Sequence, residues 1–289
     1  MGYITIFPEI LFAGVDVGAI LWNFFFGAIV AMIYVKVIIS FLEKLVDSGK
    51  LSSDLSRKII HIAAGSFIWI WLFMNTSDKA LFSYMLNITV PFLFFLTFIY
   101  KGMKGSSDDP DVKTMTRTGD PRELMKGPLY FTIVMMVAGT ALYGSYAGMF
   151  MMAIVGWGDG IAPYIGKRWG NRKYKTLGRE KTLEGSLGVL LFSIAGCLIF
   201  YILLGIIGSM DFGTNSIILA NPGENIDIAF ILIVIIILGV VAMVIEAFSP
   251  SDLDNLLIPV STLITLFMID ILLGNSLSGF LQFFPKLSP

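Results

Sequence analysis

Gly156-Trp157-Gly158-Asp159-Gly160 sets an acid among glycines at the end of an apolar run. A carboxylate at the centre of a membrane helix costs about 2.5–3.5 kcal/mol on insertion scales, so Asp159 is expected to face a partner or a wet cavity. Three glycines in five residues weaken a helix by about 1 kcal/mol each and clear side chains from the backbone. That combination suits a carboxylate holding Mg²⁺ beside phosphates, since Mg²⁺ takes one or two carboxylates together with phosphate oxygens. The plainer reading is a solvated Asp at a helix end. Further on, Lys181-Thr182-Leu183-Glu184-Gly185-Ser186 opens a second apolar run. Thr182 or Ser186 can cap the helix that follows, and its free N–H groups and positive dipole end make an anion site. Glu184 places a second carboxylate within a turn, although an acid there also suits the dipole alone. Between the two motifs lies a cationic stretch: Gly166-Lys167-Arg168, then Arg172, Lys173, Lys175 and Arg179. It is not a P-loop, because the interval from Gly160 to Gly166 is too long and Arg168 stands where Ser or Thr belongs.

Arg57-Lys58-Ile59-Ile60-His61 begins another apolar run and contains the chain's single histidine. On a helix these three polar residues share one face. His61 beside a phosphate is suited to donate a hydrogen bond or to take a proton from an attacking hydroxyl. Arg117 and Lys126, in the loop 101–128, are placed to reach phosphates, and Gly127-Pro128 is an ordinary helix start. Asp108-Asp109-Pro110-Asp111 reads as a solvated loop, with Pro110 breaking any helix an aspartate-rich metal motif would need. Glu246, Asp254 and Asn255 supply further oxygen ligands, for a second metal or a ribose. Cys197, the one cysteine, lies in an apolar run and excludes a disulfide framework or a cysteine metal site.

The elements that must carry these residues are membrane helices. Of 289 residues 56% are hydrophobic and 14% charged, against about 45–50% and about 25% in soluble domains. Disorder and a soluble nucleic-acid binder are excluded. Apolar runs place spans near 18–42, 59–74, 81–100, 128–146, 148–165, 187–208, 229–247 and 256–273, the second and fourth short enough to be tilted or partly re-entrant. Four of the 20 Lys and Arg fall in 43–58, six in 101–126 and seven in 167–181. Lys79 lies on the opposite side, and 209–228 has none. The positive-inside rule then puts the basic loops, with the acidic connection of Glu246, Asp252 and Asp254, in the cytoplasm and both termini outside. The expected architecture is an all-α integral membrane protein, a single domain over 1–289 of about eight spans with a cytoplasmic-face active site. No cleavable signal is visible at the N-terminus, where only Glu9 and Asp16 are charged, and a cell membrane is the expected location.

The motifs together resemble the CTP-dependent polyprenol, dolichol and phytol kinases and the related yeast-type diacylglycerol kinase. The resemblance rests on Arg57-Lys58-x-x-His61, Gly158-Asp159-Gly160-x-Ala162-x-x-x-Gly166-Lys167 and Lys181-Thr182-x-Glu184-Gly185-Ser186. Glu246 and Asp254-Asn255-x-x-x-Pro259 complete it, in family order over 57–259. It implies phosphoryl transfer from CTP, with Mg²⁺ or a similar ion, to a membrane lipid alcohol, most like the compact phytol or polyprenol type. On this reading Asp159 and Glu184 hold the metal. Lys167, Arg168 and Lys181 neutralise phosphate charge, and Gly156, Gly158 and Gly160 let phosphate oxygens approach the backbone. Two alternatives share much of this pattern: a cytidylyltransferase making a CDP-lipid, and a transporter for an anionic solute.

Overall fold

The computed structural model describes residues 16–75, 83–177, 179–207, 228–250 and 253–273. Glu9, Lys79, Asp252 and the stretch 209–227 lie outside the described residues. In chain order come α1 (Val17–Asp47), α2 (Ser53–Gly65, prolonged by a 3-10 coil to Phe73), α3 (Thr89–Lys104, entered by the 3-10 turn Ser83–Ile88) and α4 (Pro110–Met115). Then follow α5 (Gly127–Gly139), α6 (Tyr146–Ala153), α7 (Gly160–Trp169), α8 (Leu183–Phe200), α9 (Ile228–Phe248) and α10 (Asp254–Leu272).

The protein is an all-α membrane protein in outline. Five of its helical segments are long and apolar enough to cross a bilayer: α1, Ser83–Lys104, Leu183–Leu204, α9 and α10. The other three expected spans take different forms. The 13 residues of α5 reach about 20 Å at 1.5 Å per residue, short of a hydrocarbon core of about 30 Å. Its end lies inside the protein, where the Asn87 amide donates to the Gly139 carbonyl at 2.7 Å. Asn87 is itself fully buried and also donates to the Tyr84 carbonyl at 2.6 Å. A helix terminus at membrane depth needs such partners, because no water is there to take its orphan carbonyls. α6 follows as the central helix, with every residue buried, and continues through a π turn (Ile154–Asp159) into α7. The remaining expected span, near 59–74, is α2 with its 3-10 prolongation.

Two further features depart from the sequence reading. Pro110 starts a helix rather than breaking one: it takes the first position of α4, where its missing N–H costs nothing, and Asp109 caps that helix by accepting from the Asp111 amide. Asp109 and Asp111 also hold Lys101 at 2.8 and 2.5 Å, so this run is a clamp on the end of α3 rather than a solvated loop. The connection from α7 to α8 contains a small antiparallel hairpin, β1 (Lys173–Thr176) and β2 (Arg179–Thr182), with Lys173 opposite Thr182.

Candidate active site

At one end of the bundle a cavity of about 650 Å³ draws polar residues from five stretches of the chain. Arg57 and Lys58 come from the start of α2, Arg117 and Glu123 from the loop before α5, and Asp159 from the π turn. Lys167, Lys173, Glu180 and Lys181 come from α7 and the hairpin, and Glu246, Asp254 and Asn255 from the α9–α10 corner. Deeper in, the same cavity is walled by apolar stripes of four helices. These are Ile39 and Val35 on α1, Ala64 and Phe67 past His61, Phe98, Phe94, Pro91 and Val90 on α3, and Phe131 and Met135 on α5. The spacing of three and four residues keeps each stripe on one helix face. A charged chamber thus opens directly into an apolar arm.

Asp159 stands at the junction and is 7% exposed. Its Oδ2 lies 3.6 Å from His61 Nε2, and that nitrogen is 3.0 Å from the Val155 carbonyl. A carbonyl only accepts, so Nε2 carries a hydrogen and donates it to Val155. The π turn explains the availability of that oxygen, since it interrupts the regular ladder of helix hydrogen bonds. The His61 ring also packs against Phe131, with centroids 4.4 Å apart. His61 Nε2 is therefore committed to the backbone and cannot accept a proton. Lys58, Lys181 and Arg117 are the cations acting on Asp159, with Glu246 opposing them, and Asp159 and Asp254 act on one another.

Lys181 is fixed by long-range partners. Its Nζ donates to the Glu246 carboxylate at 2.7 Å and to the Glu246 carbonyl, both side chains being 13% exposed. The end of α9 favours a cation, because its last carbonyls carry the negative end of the helix dipole. Thr176 Oγ1 donates to the Ala247 carbonyl at 2.5 Å, so the hairpin is pinned to α9 at two points. Thr182, rather than Ser186, caps α8, accepting from the Gly185 amide at 3.1 Å. Ser186 instead pairs its hydroxyl with that of Tyr174 at 2.5 Å. At the rim, Arg57 lies 3.0 Å and Lys167 3.5 Å from the Asp54 carboxylate. Partial burial works against ionisation there, but the hydrogen bond and charge of Arg57, with Lys167 and Lys58, hold Asp54 below the usual carboxylate range.

The cavity brings together Arg57, Lys58, His61, Arg117, Asp159, Gly166, Lys167, Lys181, Thr182, Gly185, Ser186, Asp254 and Asn255 among the residues expected from sequence. Glu184, Lys126, Arg168 and the glycines 156, 158 and 160 are not part of its wall. The Glu184 carboxylate turns away to accept the Arg172 amide at 3.2 and 3.3 Å, bracing the hairpin. Glu184 thus lies off the cavity, whereas Asp159 shares it with Glu123, Glu180, Glu246 and Asp254, of which Asp254 feels the charge of Asp159. Arg168 lies over the Trp169 ring at 5.8 Å. The three glycines are used up in helix packing. A Cβ on Gly156 would sit 2.7 Å from Gly65 Cα, one on Gly158 2.1 Å from Ser193 Oγ, and one on Gly160 2.8 Å from Ile62. Residues not singled out from the sequence are Glu123, Glu180 and the whole apolar arm. Glu123 accepts from the Arg117 amide at 2.5 Å and from Thr118 Oγ1 at 2.8 Å, which fixes the loop that carries Arg117.

Comparison with known proteins follows the same lines. A probable phytol kinase 1 of Glycine max is 33% identical over 168 residues, covering 56% of this chain and 54% of that protein. Phytol kinase 1 of Arabidopsis thaliana is 30% identical over 181 residues, 61% and 58% of the two chains. The chain is similar to plant phytol kinases. Farnesol kinase of Arabidopsis thaliana, 32% identical over 146 residues and covering 49% and 45%, extends the likeness to another isoprenoid alcohol kinase. The chain spans about half the length of these phytol and farnesol kinases. The motif resemblance to the polyprenol kinase group is thereby borne out. No family model matches the chain, and no solved structure does. These phytol kinases are named as chloroplastic, so they lend no support to the expected cell-membrane location; what stands is a membrane protein.

Proposed function

We propose that the protein is a lipid-alcohol kinase that transfers the γ-phosphate of CTP to a membrane isoprenoid alcohol. The observation that carries this reading is one cavity with two characters, a cation-lined chamber and an apolar arm, meeting at Asp159. The triphosphate occupies the chamber, where Lys58, Arg117, Lys167 and Lys181 offset its charge and the N-terminus of α8 presents amides. The alcohol lies with its tail in the apolar arm, leaving its hydroxyl at Asp159. Phosphoryl transfer asks little covalent help of a protein and depends on position and charge neutralisation. With His61 Nε2 donating to Val155, the hydroxyl proton passes to Asp159. CTP as donor comes from the kinase resemblance.

Mg²⁺ fits the acids present. Among the described residues no three His, Cys, Asp or Glu gather into a metal cage, but Mg²⁺ in phosphoryl-transfer sites needs only one or two carboxylates beside phosphate oxygens. Asp159 and Asp254 are those carboxylates, and the ion they hold would draw off charge from the β- and γ-phosphates. We also read the three shorter helical segments as completing the eight-span plan beside the five long ones, α5 entering part-way to meet α6, with the cavity mouth in the cytoplasm. The gathering of Lys and Arg at that end supports this orientation. The test is purified protein with CTP labelled at the γ-phosphate and a panel of prenols and diacylglycerol, with ATP in parallel. Label in the extracted lipid is expected. Label in released pyrophosphate makes the protein a cytidylyltransferase and overturns the proposal.

A further inference from the structure

The apolar arm of the cavity runs down to residues of the buried core. Its four stripes run down to Phe67, Val90 and Pro91, of which Phe67 is 3% and Val90 1% exposed. From Phe98 at the chamber to Val90 at the end, α3 advances by about 12 Å at 1.5 Å per residue. The opposite face of the same helix is different: Phe92, Leu93 and Leu96 are 48%, 44% and 47% exposed. One face of α3 is therefore turned to lipid while the other walls the arm that continues from the charged chamber. The depth is that of a few isoprene units. It does not match the length of a dolichol, and a single arm gives no room for the two chains of a diacylglycerol.

We infer that this arm is a length gauge, which takes a short isoprenoid chain inside the protein and stops its far end against Phe67, Val90 and Pro91. The inference rests on the kinase reading for which end of the alcohol meets Asp159, and it adds which chain length fits. Phe94, Phe98 and Phe131 line the sides, and Ala64, the smallest side chain on the α2 stripe, leaves the passage open one turn below His61. Filling that gap shortens the gauge, and trimming Phe67 lengthens it.

The test has two arms, both on the full chain in lipid nanodiscs. A farnesol analogue carrying a diazirine at its ω-end is photolysed and the labelled peptides are sequenced by mass spectrometry. Label at Phe67, Val90 or Pro91 is expected; label at Phe92, Leu93 or Leu96 places the tail outside and overturns the inference. In the second arm, kcat/KM is measured for geraniol, farnesol, geranylgeraniol and dolichol. Ala64→Phe is expected to lower the ratio of geranylgeraniol to geraniol by about tenfold or more, a discrimination within reach of a shaped apolar pocket. Phe67→Ala is expected to raise it. Ratios unmoved in both variants overturn the gauge while leaving the kinase standing. Labelling of the arm in a protein that phosphorylates no prenol does the reverse, since the gauge stands and the kinase reading falls.

Discussion

The chamber and the arm belong to one cavity but are built on opposite principles. The chamber is assembled from helix ends and connections, and its side chains are held by specific polar partners, some remote in sequence, as Lys181 is by Glu246. The arm is assembled from helix interiors, and its side chains are placed by nothing more than helical spacing. Charged groups near the membrane need specific partners, because an unpaired buried charge is costly. Apolar groups need only volume and packing. It follows that changes in the chamber alter the rate for every alcohol alike, while changes in the arm alter the choice among alcohols.

The largest break is expected at the junction. Asp159→Asn keeps the shape and removes the charge and the proton acceptor, and kcat is expected to fall by about 10³-fold. Circular dichroism and a thermal melt in detergent should show the helical fold retained, because Asp159 meets His61 only at 3.6 Å. Full activity in this variant sinks the assignment of the site. Next comes the clamp on the hairpin. Lys181→Met and Glu246→Gln should each lower kcat/KM by about 10²-fold, the scale for losing one preorganised charge contact. The double variant should be scarcely worse than either, since residues in one buried pair do not act additively. Strictly multiplicative losses would separate the two and remove Glu246 as the residue that positions Lys181. A uniform effect across geraniol, farnesol and geranylgeraniol is expected for all of these variants.

What the sequence showed of this cavity follows the same division. Arg57, Lys58 and His61 could be put on one face because helix periodicity is local, and Asp159 stood out because an acid in an apolar run is expensive. The role of Glu184 could not be read this way: within one turn of an anion-binding helix end, an acid that braces the Arg172 amide has the same sequence signature as one that holds a metal. Glycines 156, 158 and 160 were ambiguous for a related reason. A missing Cβ is required equally by a phosphate and by a neighbouring helix, and only the closeness of Gly65, Ser193 and Ile62 decides for packing. The Lys181–Glu246 pair, 65 residues apart, has no local trace at all. The hairpin of β1 and β2 was hidden by its charge, which read as a cationic loop. The arm was hidden in plain apolar sequence, where lining residues and lipid-facing residues are the same types.

The glycine assignment gives a smaller, sharper test. Gly158→Ala would drive a methyl group toward Ser193 Oγ, and overpacking of this kind costs about 1–3 kcal/mol. A lower melting temperature with reduced activity is expected. Ser193 Oγ is buried without a hydrogen-bond partner among the described residues, so Ser193→Ala alone should be close to neutral. Combining Gly158→Ala with Ser193→Ala makes room for the new methyl and should restore most of the stability and the rate. If the double variant melts normally yet remains inactive, Gly158 serves the phosphates and the packing explanation fails.

The smallest expected effect is the most direct check on where the chamber's second acid lies. Glu184→Gln preserves an oxygen that accepts the Arg172 amide and removes only the charge. Because this carboxylate does not line the cavity, the change should stay within about 0.5 kcal/mol, or about twofold in kcat, and the Mg²⁺ concentration for half-maximal rate should not move. Asp254, by contrast, lines the cavity together with Asp159, and Asp254→Asn should raise that Mg²⁺ requirement. A reversed pattern, with Glu184→Gln raising the requirement and Asp254→Asn silent, would return the metal to the start of α8 and make the Arg172 contact a resting position that the nucleotide displaces.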